Sequence, residues 1–172
     1  MNNFEERLKG GHPNSLGNTI EIVAEVLANP DLFDELFHCY FSTDEVVRLR
    51  VSNAMKRLGK ENKQLLIPYL DRFLDEISNI DQASTQWTLS QLFLLLEREM
   101  TPDQIEKATD LMKQNLAHHQ DWIVLNQTME TLGKWSRNNE ELKSWLQPHL
   151  ERLSNDDRKS VAKRAEKIRV TL

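Results

Sequence analysis

Apolar residues recur three and four positions apart along nearly the whole chain. Val47, Val51, Ala54, Met55 and Leu58 form one stripe, and Leu142, Leu146, Leu150 and Leu153 form another. That spacing lines up one face of an α-helix, and no segment shows the sustained period of two that a half-buried strand requires. The stripes predict helices over 18–28, 30–41, 43–58, 62–78, 83–99, 102–117, 121–136, 139–153 and 156–170, an all-α chain.

The residues between the stripes agree. The five glycines and five prolines mostly fall where helices start or stop. Ser42 with Glu45, and Thr101 with Pro102 and Gln104, have the pattern of reciprocal N-terminal caps, whose loss costs about 1 kcal/mol. Asn29 before Pro30, and Asn139 before Glu140 and Glu141, mark two further starts, the acids being favoured by the helix dipole. Gly10 and Gly59 read as left-handed stops. Pro68 and Pro148 interrupt two stripes, so those helices are expected to start properly at Ile67 and Gln147 after a short lead-in, or to bend there.

Superposing the stripes exposes a repeat. "VSNAMKRL" from Val51 lies over "LSQLFLLL" from Leu89, "LNQTMETL" from Leu125 and "VAKRAEKI" from Val161, at offsets of 38, 36 and 36 residues. A small-polar pair follows the aliphatic residue in the first three: Ser52-Asn53, Ser90-Gln91 and Asn126-Gln127. The alternate helices echo one another too, "LLIPYLDRF" against "WLQPHLERL". Two helices per unit at this period is the mark of an α-solenoid, in which one pair has too little apolar area to order alone and gains it from its neighbours.

Here the chain resembles the HEAT-repeat family, on "DEVVRLRVSNAMKRL" followed by "LLIPYLDRFL". Later copies carry Gln86-Trp87 and Trp122-Ile123 in place of the Val-Arg pair. The resemblance implies a right-handed α-α superhelix of about four to five helical pairs. It implies one domain over 1–172, with 1–16 as a short helix and loop and 156–170 as a capping helix. It is similar to small stand-alone bacterial HEAT-like proteins, and implies a scaffold with no assigned activity. In such scaffolds the second helix of each pair lines a concave face that holds partners. On this chain that face would present Tyr69 and Arg72, His149 and Arg152, Lys107 and Asp110, and Asp34 with His38. A stripe of mixed charge containing Tyr and Arg suits a protein or peptide.

Composition narrows the function classes. A net charge of -5 over 172 residues argues against a broad phosphate-binding surface, and a mean hydropathy of -0.60 against a membrane span. The N-terminal stretch lacks the pattern of a signal peptide, and a single cysteine, Cys39, fits a reducing, cytoplasmic setting. Charge is unevenly placed, acidic between Gly10 and Val47 and basic from Arg158 to Arg169, so a monomer or a weak homo-oligomer is expected.

No motif points to catalysis. "GGHPNSLGNT" fails as a phosphate loop because five residues separate Gly11 from Gly17 and Asn18 stands where lysine is needed; it reads as a stop, a turn at Pro13 and a cap at Asn18 with Glu21. His118 and His119 are adjacent, so a helix would point them about 100 degrees apart, unlike metal ligands. Cys39 has no activating partner nearby in sequence and reads as a small buried hydrophobe. Trp87 and Trp145 read as core, whereas Trp122 and Trp135 fit either core or surface. No cofactor or metal is expected.

The leading expectation is a non-enzymatic protein- or peptide-binding scaffold. The alternative is a HEAT-like DNA glycosylase or other nucleic-acid-binding protein. Its only compact basic stretch besides the C-terminus, Arg48, Arg50, Lys56, Arg57, Lys60 and Lys63, lies mostly on a first helix, away from the concave groove such enzymes use. A bilin-lyase-like HEAT protein is a weaker alternative, resting on fold alone.

Overall fold

The computed structural model describes residues 3–172, which contain ten α-helices and no strand. They are α1 (Phe4–Leu8), α2 (Thr19–Ala28), α3 (Phe33–His38), α4 (Glu45–Glu61), α5 (Leu70–Asp75), α6 (Ala83–Leu96), α7 (Pro102–His118), α8 (Trp122–Trp135), α9 (Glu140–Ser154) and α10 (Lys159–Arg169). Short 3-10 turns extend α3, α6 and α8, and two of them, Lys63–Leu65 and Ile67–Tyr69, lead into α5. The helix expected over 62–78 is thus a single α-helical turn and a half between tighter turns. Pro68 sits in the first turn of the second 3-10 segment, where its missing amide hydrogen is tolerated. Pro148, by contrast, lies inside a continuous α9.

Helices α2, α4, α6, α8 and α10 form a first row in which each packs on the next, and α3, α5, α7 and α9 alternate with them along the chain. α10 closes the end by packing on both α8 and α9. The buried apolar residues join in one cluster that includes Val51, Leu89, Leu125 and Val161, the four residues that the sequence superposes.

The first row approaches closely through small residues. Ser52, Ser90 and Asn126 are 1%, 1% and 6% exposed, although each is polar. Ser52 and Ser90 are satisfied by hydroxyls, Tyr40 Oη with Ser52 Oγ at 3.0 Å and Ser90 Oγ with Thr128 Oγ1 at 3.2 Å, whereas Asn126 Nδ2 reaches Ser160 Oγ at 3.4 Å and its Oδ1 is buried without a donor. Thr131 Oγ1 also donates to the Ser90 carbonyl at 2.8 Å, joining α8 to α6. Buried polar groups paired in this way avoid the desolvation penalty, and they fix register where an apolar seam would allow sliding.

Three residues before the aliphatic marker stands a second equivalent position, Arg48, Gln86, Trp122 and Arg158. Three of the four donate to backbone carbonyls of the turns that join the repeats. Arg48 reaches the Ser42 carbonyl at 2.6 Å, Gln86 reaches Ser78 and Ile80 at 2.9 and 3.0 Å, and Arg158 reaches Gln120. Trp122 makes no such bond and is 49% exposed.

Several caps differ from expectation. The capping box at Thr101 and Gln104 is present, and Asn29 and Asn139 cap as expected. The cap of α4, however, is Asp44, whose carboxylate accepts from Val46 N at 2.8 Å, while Ser42 Oγ accepts from Asp44 N. Asn18 makes no side-chain cap and instead donates to the Arg7 carbonyl at 3.0 Å. Gly10 has the expected left-handed backbone, at φ 76°. Gly59 is no stop: α4 runs on to Glu61, and the absent side chain admits Leu95, whose Cδ2 would lie 2.8 Å from a Cβ there.

The loop after α1 is organised by Arg50, a residue only 2% exposed. Its guanidinium donates to the carbonyls of Leu8 at 2.6 Å, Ser15 at 3.1 Å and His12 at 3.3 Å. Gly17, at φ 53°, passes so close that a Cβ would stand 3.0 Å from the guanidinium carbon. The glycines of "GGHPNSLGNT" therefore let the backbone wrap a cation.

Hydrogen bonds to a charged group contribute about 1.5–3 kcal/mol each, and part of the loop can rehydrate. Arg50→Ala should lower unfolding free energy by about 2–4 kcal/mol in denaturant titrations. Arg50→Lys, lacking the planar fork, should recover only part of that loss.

Candidate functional site

Four of the residues expected on the partner-binding stripe meet. Asp34 and His38 come from α3, Tyr69 from the 3-10 turn ahead of α5, and Arg72 from α5. Tyr69 Oη donates to Asp34 Oδ1 at 2.9 Å, His38 Nδ1 lies 3.2 Å from Asp34 Oδ2, and Arg72 Nη1 lies 3.9 Å from Asp34 Oδ1. Beneath them is an aromatic floor: Arg72 stacks over Phe37 at 4.6 Å, and the Tyr69 ring meets Phe33 edge-on at 4.7 Å. Glu76 accepts from Arg72 Nε at 2.7 Å. These side chains satisfy one another, tying α3 to α5.

The other four are placed elsewhere. Lys107 donates to Asp75 at 2.9 Å and, with Gln104 on Asp71 at 2.9 Å, ties α7 to α5. Arg152 donates to the Leu116 carbonyl at 3.2 Å, tying α9 to the end of α7, and lies 3.4 Å from His149 Nδ1. His149 stacks on Trp145 at 4.1 Å, and burial, followed by the Arg152 and His118 charges, pushes its pKa below the ordinary histidine value. Asp110 stands exposed on α7.

Asp110 belongs to a feature that sequence reasoning missed. Short of the Arg152 tie, α7 and α9 part, leaving a groove of about 510 Å³ floored by Leu94, Ile105, Leu142 and Trp135. It shares Ile105, Thr109, Asn139 and Leu142 with a second recess of about 300 Å³. Glu97, Arg137 and Lys134, the last paired with Glu130 at 3.0 Å, border the first part, and Glu106, Asp110 and Glu141, with Lys113, border the second. Trp135 Nε1 is buried here without an acceptor. A buried donor left unpaired is unfavourable by about 1–3 kcal/mol. The groove arises from the separation of two helices, which no local pattern encodes; the only sequence hint was Trp135, which fitted core and surface equally.

The tryptophans divide. Trp135 and Trp145 pack partly buried against the core, Trp87 is partly buried, and Trp122 is exposed. Cys39 is 4% exposed and donates to the Glu35 carbonyl at 3.4 Å; burial first, then Glu5 and Glu35, push its thiol up to about 12, so it is a thiol and not a nucleophilic thiolate at neutral pH. His119 Nδ1 accepts from Asp121 N at 3.0 Å, capping a turn. Among the described residues no group of three or more His, Cys, Asp or Glu is placed to hold a metal ion, and no helix is long and apolar enough to cross a membrane.

Comparison of the chain with protein-family models, with curated proteins and with solved structures finds no match.

The Asp34 network makes a spectroscopic prediction. Burial, then the hydrogen bond to Asp34 and its charge, raise Tyr69 to about 12, and burial raises Tyr40 as well. These are the only two tyrosines in the chain. The folded protein should therefore show little tyrosinate absorbance until well above pH 10, and Asp34→Asn should bring one tyrosine back toward the ordinary value. Because the folded state holds these protons more tightly, the tyrosines' contribution to stability should be constant well below pH 10 and fall as pH rises from about 10 towards 12. Two ordinary phenol titrations near pH 10 in the folded protein would contradict the network.

Proposed function

We propose that the chain is a non-enzymatic binding scaffold, a short HEAT-like solenoid that holds an extended peptide on the face formed by its second helices. The solenoid reading is supported by the row of first helices packing in chain order and by the equivalent positions at Ser52, Ser90 and Asn126. One observation carries the binding role. α3, α5 and α7 are tied side chain to side chain, whereas α7 and α9 are open over the groove that contains the unpartnered Trp135 indole.

The groove is dipolar. Arg137, which enters no ion pair among the described residues, suits an acidic residue at one end beside Glu97, and Glu106, Asp110 and Glu141, against the single cation Lys113, suit a basic one at the other. Apolar side chains of the peptide would rest on Ile105 and Leu142. The Asp34–Arg72 network and the Arg152 tie then act as the frame that keeps the helices apart by a fixed amount, a role different from direct contact. The scaffold suits a reducing, cytoplasmic setting, given the lone buried thiol of Cys39.

The nucleic-acid alternative keeps only Lys56, Arg57 and Lys60 of its basic stretch, because the other three residues are engaged within the chain. Arg50 is buried in carbonyls, Arg48 holds Gln82 and Ser42, and Lys63 pairs with Glu99 at 2.5 Å. The bilin-lyase reading has no residue of its own to recommend it.

A displayed library of linear octapeptides should yield binders with an acid and a base near opposite ends. Ile105→Glu should weaken them about tenfold or more, an unpaired charge being placed on the groove floor. Trp135→Phe should weaken them severalfold by removing one hydrogen bond. Binders unaffected by both substitutions, in proteins with unchanged thermal stability, would rule out this groove.

A further inference from the structure

A second surface adjoins the peptide groove, with Leu94 lining both. Three of the six exposed large hydrophobic residues lie on it: Ile20 at 45% and Leu27 at 37% on α2, and Leu95 at 37% on α6. Between them runs α4, with Lys56 and Lys60 one turn apart and Arg57 beside them. Most of the arginines near the chain's acids are paired, yet none of the ion pairs among the described residues involves Lys56, Arg57 or Lys60. Arg57 bonds only to neutral Asn53, at 2.7 Å.

The two lysines form a ridge between two clefts. On the α2 side a cleft of about 440 Å³ is floored by Ile20, Val23 and Leu27. On the other side a cleft of about 470 Å³ is bounded by Leu95, Gln91 and Thr131. The lysines border both. Gln91 Oε1 is buried there with no donor. Lys56 is held below its ordinary pKa by burial and then by Lys60 and Arg57, so three like charges are crowded together, with Glu61 the one acid that lines the α2-side cleft. A chain of net charge -5 gains nothing for its own fold from such a cluster.

We propose that this ridge and its two clefts form a second docking surface, for an acidic amphipathic helix of another protein. Glutamates or aspartates on that helix would flank Lys56, Arg57 and Lys60, and its apolar side chains would enter the clefts beside Leu27 and Leu95. Charge complementarity selects an acidic partner. The clefts select apolar side chains at helical spacing, because Ile20 and Leu27 are two helical turns apart, about 10 Å along α2. A second copy of this chain is a poorer fit. The remaining exposed large hydrophobics, Phe41, Trp122 and Val170, lie singly on separate elements, and none forms an apolar strip of its own with acidic flanks. With both surfaces occupied, the protein would join a peptide to a helix on the adjoining surface.

The test uses the full chain and a dye-labelled 18-residue helix built of Leu, Ala and Glu, with leucines at one face and glutamates beside them. Its controls are a scrambled peptide of the same composition and vesicles of phosphatidylserine. Anisotropy should show salt-sensitive binding of the amphipathic helix and at least about tenfold weaker binding of the scrambled one. Lys56→Glu with Lys60→Glu should weaken the helix about tenfold or more. Leu27→Ser with Leu95→Ser, exposed changes whose folding is checked by thermal melting, should weaken it severalfold. Ile105→Glu in the peptide groove should leave it unchanged. Equal binding of the scrambled peptide, or insensitivity to the lysine pair, would overturn the proposal. So would vesicle binding that depends on Lys56 and Lys60 while the helix does not bind.

Discussion

The structure depends on how closely the helices of the first row approach one another. Ser52, Ser90, Thr128 and Thr131 are small enough to let neighbouring backbones come together, and each hydroxyl finds a partner across or beside the seam. A row of leucines could supply more apolar area, but it would hold the helices farther apart and leave their axial offset undefined. Glycines serve the same end near the helix C-termini. A Cβ at Gly59 would stand 2.8 Å from Leu95, and one at Gly133 would stand 2.9 Å from Ile168. With the first row fixed, the alternating helices have only their own side chains to set their spacing.

That second row is bound unevenly, and the unevenness is where function is argued to lie. Aromatic stacking of Arg72 on Phe37 and the pairs at Asp34 and Asp75 hold α3, α5 and α7. Exposed ion pairs of this kind contribute little singly, about 0–1 kcal/mol, so their part is to fix geometry more than to add stability. Beyond α7 the ties stop until Arg152, and the space between becomes the groove. The first row also leaves a surface unmatched, the Lys56–Lys60 ridge, whose lysines enter no ion pair among the described residues.

Much of the fold was legible in the chain because it follows from periodicity. The stripes gave the helical class and most boundaries to within a few residues, and the superposition of Val51, Leu89, Leu125 and Val161 found four positions that are all buried in one cluster. The small-polar pairs were visible as a repeat, though their meaning as a close-packed seam was not. Errors came where non-local geometry decides. Gly59 reads as a stop by local rules, but packing against Leu95 keeps it helical. Arg50 reads as one of a basic stretch, but a loop more than thirty residues away wraps it. The candidate site was half legible: Asp34, His38, Tyr69 and Arg72 do converge, whereas Asp110 alone of the expected residues borders the groove. A groove between two helices depends on their separation, and separation is set by contacts distant in sequence.

The seam between α6 and α8 offers the sharpest check on this arrangement, since Ser90 Oγ and Thr128 Oγ1 are 3.2 Å apart. In a chain carrying Cys39→Ser, the pair Ser90→Cys and Thr128→Cys should close an intramolecular disulfide under mild oxidation, with helical content retained and a higher melting temperature. Two thiols that stay free under those conditions, in a folded monomer, would contradict the close-packed row from which both proposed surfaces follow.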